Sequence, residues 1–140
     1  TAGTAIRSNG SILTGADINL SAPTLDLSNG KVTSHDTARL SASGDITHRN
    51  ARLEANTVQI SAAGTVDNRG AAIVAGVNGG TVRGTSVLNQ RGTISSGGAL
   101  GVEGTQTVDN TGGAVAGTLA TTVAAPGVVN RSGVIGSVQD

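Results

Sequence analysis

Nine carboxylates are the first place to look for chemistry: Asp17, Asp26, Asp36, Asp45, Glu54, Asp67, Glu103, Asp109 and Asp140. Three of them, Asp26, Asp67 and Asp109, each follow an aliphatic residue and recur at nearly equal intervals. Paired carboxylates are the machinery of glycoside cleavage, one protonating the leaving group and the other attacking or activating water. If these three sit on alternate storeys of stacked strands, neighbours in the set lie about 9.6 Å apart. That is the outer limit for an inverting pair, and Thr47 and Leu88 would stand between them. Like charges on alternate storeys suit avoided repulsion on a solvated face better than catalysis. No Trp or Tyr is present on which a sugar ring could stack. A non-enzymatic chain with no catalytic residue and no cofactor is expected, and a polysaccharide-acting enzyme is kept as a remote alternative.

The other reactive side chains are few. His35 and His48 fall at different phases of the repeat described below, so they do not form a metal pair, and no metal site is expected. The absence of Cys removes thiolate ligands and disulfides. Arg49, Arg69 and Arg131 share one place in the repeat, with Arg91 one residue later. This partial basic ridge could meet an acidic glycan or lipid headgroup. Asp67 and Asp109 beside it favour a mixed, solvated face. Glycine-rich stretches such as Gly76–Gly80 and Ser96–Gly98 lack the Lys-Ser/Thr and following helix of a phosphate loop.

The elements that position these residues follow from composition. The 140 residues include no Phe, Trp, Tyr, Met or Cys, yet 36% are hydrophobic and 22 are Gly. Glycine is therefore about twice its usual share of roughly 7%. A core of small branched aliphatics suits a narrow, regular interior in which like residues stack. With 13% charged residues and zero net charge, the balance is opposite to that of a disordered chain. Zero net charge also argues against a nucleic-acid partner, since counterion release needs a basic face. No apolar run approaches the ~18 residues of a membrane span.

Ile12, Val32, Leu53, Ile73, Ile94, Val115 and Ile135 recur every 20–21 residues. Seven residues before each lies a second column: Leu25, Ile46, Val66, Val87, Val108 and Val128, with Ala5 as its weak first member. A third column follows: Leu20, Leu40, Ile60, Val82, Val102 and Val123. Two-residue alternation leads into it, as in Val58-Gln59-Ile60, which is a strand signal in strand-forming residues. Turn residues are in phase too. Pro23, Ser43-Gly44, Ala63-Gly64, Gly84, Gly104 and Pro126-Gly127 follow the third strand. Gly10, Gly30, Gly92, Gly113 and Gly133 stand two before the first column, replaced by Ala51 and Ala71 in two coils. Glycine at a fixed turn position implies a left-handed or crowded backbone.

Three short strands per repeat bury little alone, but stacked coil on coil they enclose a continuous core. The expected fold is all-β, a right-handed parallel β-helix (β-solenoid) of six to seven coils. It would form one segment over residues 1–140, a rod about 30–35 Å long. A sandwich of hairpins would leave the constant period unexplained. Asn68, Asn89, Asn110 and Asn130 make a fourth column, read as a hydrogen-bonded structural ladder along the parallel array. A polar binding stripe is the alternative. In earlier coils Leu27 and His48 take that place, while Asn9, Asn29 and Asn50 lie two residues further on.

The segments VDNRG, LNQRG, VDNTGG and VNRSG, each leading into an aliphatic strand, resemble the haemagglutinin repeats of filamentous haemagglutinin-type exoproteins. The resemblance is strongest from about Asp45 to Gly136. It implies the right-handed hand of the helix, which agrees with the general hand of parallel crossovers. It also implies a secreted or outer-membrane-surface bacterial protein exported by two-partner secretion, either a large adhesin or the stalk of a contact-dependent growth-inhibition toxin. Its partners would then be neighbouring repeats of the same polypeptide, an outer-membrane secretion partner, and a host or target-cell surface. The Asn-Pro-Asn motifs of the family's secretion domain and any toxin domain are missing, so an internal rod segment is expected. A structural stalk is the leading function, with a glycan- or receptor-binding module as runner-up.

Overall fold

The computed structural model describes residues 3–138, so Asp140 lies outside the described residues. Every assigned element among them is a strand. The first coil carries β1 (Ala5–Arg7), β2 (Ile12–Gly15) and β3 (Ile18–Ala22). The second carries β4 (Thr24–Asp26), β5 (Lys31–Ser34) and β6 (Thr37–Ala42), and the third β7 (Ile46–Thr47), β8 (Arg52–Ala55) and β9 (Thr57–Ala62). Then come β10 (Thr65–Asp67), β11 (Ala72–Ala75), β12 (Gly80–Leu88), β13 (Thr93–Ser96) and β14 (Leu100–Asp109). The last are β15 (Ala114–Gly117), β16 (Thr121–Ala124), β17 (Gly127–Val129) and β18 (Val134–Ser137).

All pairings are parallel and join each strand to its counterpart one coil away. Seven strands, β2-β5-β8-β11-β13-β15-β18, form one sheet, which counts seven coils. The remaining eleven form the other. They are linked because β12 and β14 run unbroken from the third strand of one coil into the first strand of the next. At Gly84 and Gly104 the turn expected from the sequence is thus a bulge within a continuous strand, with the register shifting between Gly84 and Ser86. Glycine permits this because a Cβ on Gly104 would meet the Thr107 carbonyl at 2.3 Å. The molecule is a parallel β-solenoid.

Its core consists of vertical files. Val32, Leu53, Ile73, Ile94 and Val115 are paired in succession and buried, as are Leu25, Ile46, Val66, Val87 and Val108. Each such side chain contributes about 1.5–3 kcal/mol on burial. Where one file narrows, a neighbour fills it. Gly80 sits between Val58 and Leu100, and the Leu100 Cδ1 lies 3.6 Å from where its Cβ would be.

The first coil departs from the expected phase. Ile12 is not a core residue: it pairs with Lys31, points outward and is 74% exposed. Leu13 pairs with Val32 and packs against the core instead. Likewise Ile6, not Ala5, pairs with Leu25. Backbone bonds from Ser8 N–H to the Asp26 carbonyl (2.8 Å) and from Gly10 N–H to the Ser28 carbonyl (2.9 Å) hold this shorter first step. At the other end of the same file, Ile135 pairs with Val115 and is half-buried.

Candidate functional site

The turn between the first and second strands concentrates the polar side chains of the chain. Its backbone closes with an i to i+3 bond, as from Ala71 N–H to Asn68 C=O (3.2 Å) and from Gly113 N–H to Asn110 C=O (2.9 Å). The third residue of each turn has positive φ: Gly10, Asn29, Asn50, Gly70, Arg91, Gly112 and Ser132, from 49° to 73°. Gly and Asn are the residues that tolerate this conformation. The next residue is the one expected to need glycine, and there the need is for space. A Cβ on Gly113 would meet the Asn89 carbonyl at 2.2 Å and the Asn110 Oδ1 at 2.6 Å. The left-handed column lies one residue before the fixed small residue, and Asn29 and Asn50 belong to it rather than to the Asn68 column. Asn29 and Asn50 stand three residues before Val32 and Leu53, as Gly70 and Gly112 stand before Ile73 and Val115, so the residue types at that place carry the signal.

Inside this turn, Asn68 Nδ2 donates to Asn89 Oδ1, Asn89 Nδ2 to Asn110 Oδ1, and Asn110 Nδ2 to Asn130 Oδ1, each at 2.7 Å. The same amide nitrogens donate to backbone carbonyls of their own turn, Ala71, Gly92 and Gly113. They also reach the next coil at Thr93, Ala114 and Val134. Asn68, Asn89 and Asn110 are fully buried, so these bonds satisfy groups that water cannot reach. The ladder runs one residue further than the Asn column. His48 Nδ1 lies 2.9 Å from Asn68 Oδ1, and since that oxygen only accepts, Nδ1 carries the proton. The His48 Nε2 is buried without a partner, with Leu27 at the equivalent place one coil below. Burial lowers the His48 pKa, opposed in part by its bond to Asn68.

The carboxylate column is structural. Asp26, Asp67 and Asp109 each accept, through Oδ1, the backbone N–H two residues on, from Ser28, Arg69 and Thr111. This Asx-turn opens the loop. Asp67 Oδ2 also receives Arg49 Nε at 2.5 Å and Arg69 Nη2 at 2.8 Å. Partial burial alone would raise the Asp109 carboxyl, but bonds from Thr111 and Gln90 and the charge of Arg131 outweigh it and lower the pKa. Leu88 separates Asp67 from Asp109 in the ladder. The three therefore lie on alternate coils, with Thr47 and Leu88 between them. His35 is exposed, 3.3 Å from Asp36, in a different turn from His48. No group of three or more metal-ligating side chains occurs among the described residues, and no helix there is long and apolar enough to cross a membrane.

The family model of the haemagglutinin repeat matches residues 1–50, 53–113 and 103–140. Neither the curated proteins nor the solved structures gave a match. The matched segments take in all seven storeys and each copy of the Asx-turn. A repeat that stacks in one register, with its polar turn used to brace its neighbours, is the structural unit of a filament, and the chain belongs to the haemagglutinin repeat family.

Proposed function

We propose that the chain is a rod segment of a filamentous adhesin-like exoprotein, one that extends and displays other parts of that protein at or beyond a bacterial surface. The observation that carries this reading is the uninterrupted seven-coil sheet, in which every strand pairs only with its counterparts above and below. Stability in such a stack is a sum of coil and interface terms, so length can change without changing the fold. The family match supports a secreted or surface location. Export by two-partner secretion, and a role in adhesion or in carrying a toxin, are the finer parts of the proposal. Residues 1–140 would act as one continuous rod rather than as separable domains.

Excision of residues 46–107 tests this, because it removes three coils in phase, placing Val108 after Asp45 where Ile46 stood. In the full surface protein the rod should shorten by about 14 Å, while parallel strand content and surface display persist. A variant that folds yet is no longer displayed would overturn the spacer role.

A further inference from the structure

The asparagine ladder ends, toward the first coil, at a histidine. His48 is 2% exposed and gives its Nδ1 proton to Asn68 on the coil above, while its Nε2 is buried with no partner. The same place on the coil below belongs to Leu27, 1% exposed, whose side chain offers no polar atom. We propose that the junction of the second and third coils is an acid-sensitive hinge. Protonation of His48 opens it on the first-turn side, and the pairing of β6 with β9 is the pivot.

Imidazolium donates from both ring nitrogens. Nδ1–H keeps its bond to Asn68, but the new Nε2–H has no acceptor and its charge is cut off from water. An unpaired buried charge costs far more than a buried neutral ring. Lifting the second coil from the third on this side lets water reach Nε2 and leaves the Asn68 bond intact. The pKa of His48 agrees in direction: burial lowers it, opposed in part by Asn68 and the Arg52 backbone. Charged groups around the ring are committed elsewhere. Asp67, on the coil above, is held by Arg49 and Arg69. Asp26, on the coil below, accepts from the Ser28 N–H, and Arg52 pairs with Glu54 on the outer face.

Cross-strand charges weaken the same junction independently. Lys31 stands directly opposite Arg52, the only like-charged pair in register among the described strands. Like charges so placed are destabilising. Other junctions carry opposite charges: Arg7 faces Asp26 between the first and second coils, and Arg83 meets Glu103 at 3.2 Å between the fourth and fifth. Asn29 Nδ2 also donates to Asn9 Oδ1 at 3.0 Å, so the first two coils move as one body. β7, which leads into His48, is the shortest described strand at two residues and pairs with β4 at two positions. β6 and β9 pair over six residues, which fixes the pivot on the third-strand side. Stability in a stack is a sum of interface terms, so a weak interface opens before the rest.

The test is amide hydrogen exchange of the 140-residue chain at pH 7.5 and pH 5, corrected for the intrinsic pH dependence of exchange. The lower pH lies between the ordinary histidine and carboxylate values, so histidine is the side chain whose charge changes. Leu27 and Asn29 N–H are bonded to the Thr47 and Arg49 carbonyls across the junction. They should lose protection about tenfold, with a ceiling of about thirtyfold, since each pH unit below about 6.5 allows a factor of ten. Ala63 N–H, bonded to Ala42 C=O across the pivot, and Asn89 and Asn110 N–H in later coils should change less than about twofold. His48→Asn should abolish the loss, whereas His35→Asn, which removes the only other histidine, should retain it. Lys31→Glu should raise the protection of Leu27 and Asn29 at both pH values. Equal loss at Ala63 or in the later coils overturns the hinge, as does loss that persists in His48→Asn or disappears in His35→Asn. None of these outcomes bears on the spacer role, which is read from length and display.

Discussion

Replacing Asn89 by Ala isolates the contribution of the ladder. Asn89 is fully buried and makes four side-chain bonds: it accepts from Asn68 and donates to Asn110 Oδ1, Gly92 C=O and Ala114 C=O. In the variant, Asn68 Nδ2 keeps its two carbonyl partners at 3.4 and 3.2 Å but loses its shortest bond. Asn110 Oδ1 loses its amide donor in a place that water does not reach. Each buried polar group left unpaired costs about 1–3 kcal/mol, so the expected destabilisation is about 3–5 kcal/mol. Asn130→Ala is the internal comparison. Asn130 is exposed and bonded to the ladder on one side, from Asn110, so water can replace what is removed and the loss should stay below about 1 kcal/mol. Equilibrium urea unfolding reads both, with hydrogen exchange to localise the effect, since an array of coils need not unfold in one step. The double variant Asn89→Ala/Asn110→Ala should cost less than the sum of the singles, because the second change removes an already orphaned oxygen. Equal, small effects at Asn89 and Asn130 would refute the ladder as a source of stability.

Three further outcomes follow from the same geometry. His48 has its pKa lowered by burial, so the unfolded chain takes up a proton that the folded one resists. Stability should be full above the ordinary histidine value near 6.5 and decline as pH falls below it. Thermal unfolding between pH 7.5 and 5 should show that decline in the parent and less of it in His48→Asn, which also extends the ladder; identical profiles would argue against it. Leu13→Ser should lower the unfolding midpoint clearly while Ile12→Ser, at an exposed position, stays within about 0.5 kcal/mol; a reversed order would mean that the first coil is phased as the sequence suggested. Gly113→Ala should destabilise by about 1–3 kcal/mol, since its Cβ would press on the Asn89 carbonyl and the Asn110 amide, whereas Ala71→Gly at the same turn position should cost under about 1 kcal/mol. Denaturant midpoints for the pair decide whether crowding, rather than φ, is why glycine sits there.

Much of the architecture was legible because a stacked repeat writes each contact several times. Val66, Val87 and Val108 announce one file, and Asn68, Asn89 and Asn110 another. A file of like residues at constant spacing has few explanations other than parallel coils, whatever the packing details. The same redundancy explains why no chemistry could be read from Asp26, Asp67 and Asp109. Their column marks a backbone turn, and which oxygen each one offers to Arg49 or Gln90 depends on side chains from neighbouring coils.

What the sequence left open were one-residue choices. Ile12 and Leu13 are adjacent and both apolar, and so are Ala5 and Ile6, so the period alone could not phase the first coil. Shifting a strand by one residue turns every side chain to the opposite face, and only the backbone bonds at Ser8 and Gly10 decided which way Ile12 points. His48 entered the ladder by the same route: an imidazole differs from a carboxamide in the sequence but presents a donor at the same height. The left-handed φ of Arg91, and the place of His48 between Asn68 and Leu27, exist only once the coils are stacked, because neither a backbone angle nor a separation between residues 20 apart is written in the chain itself.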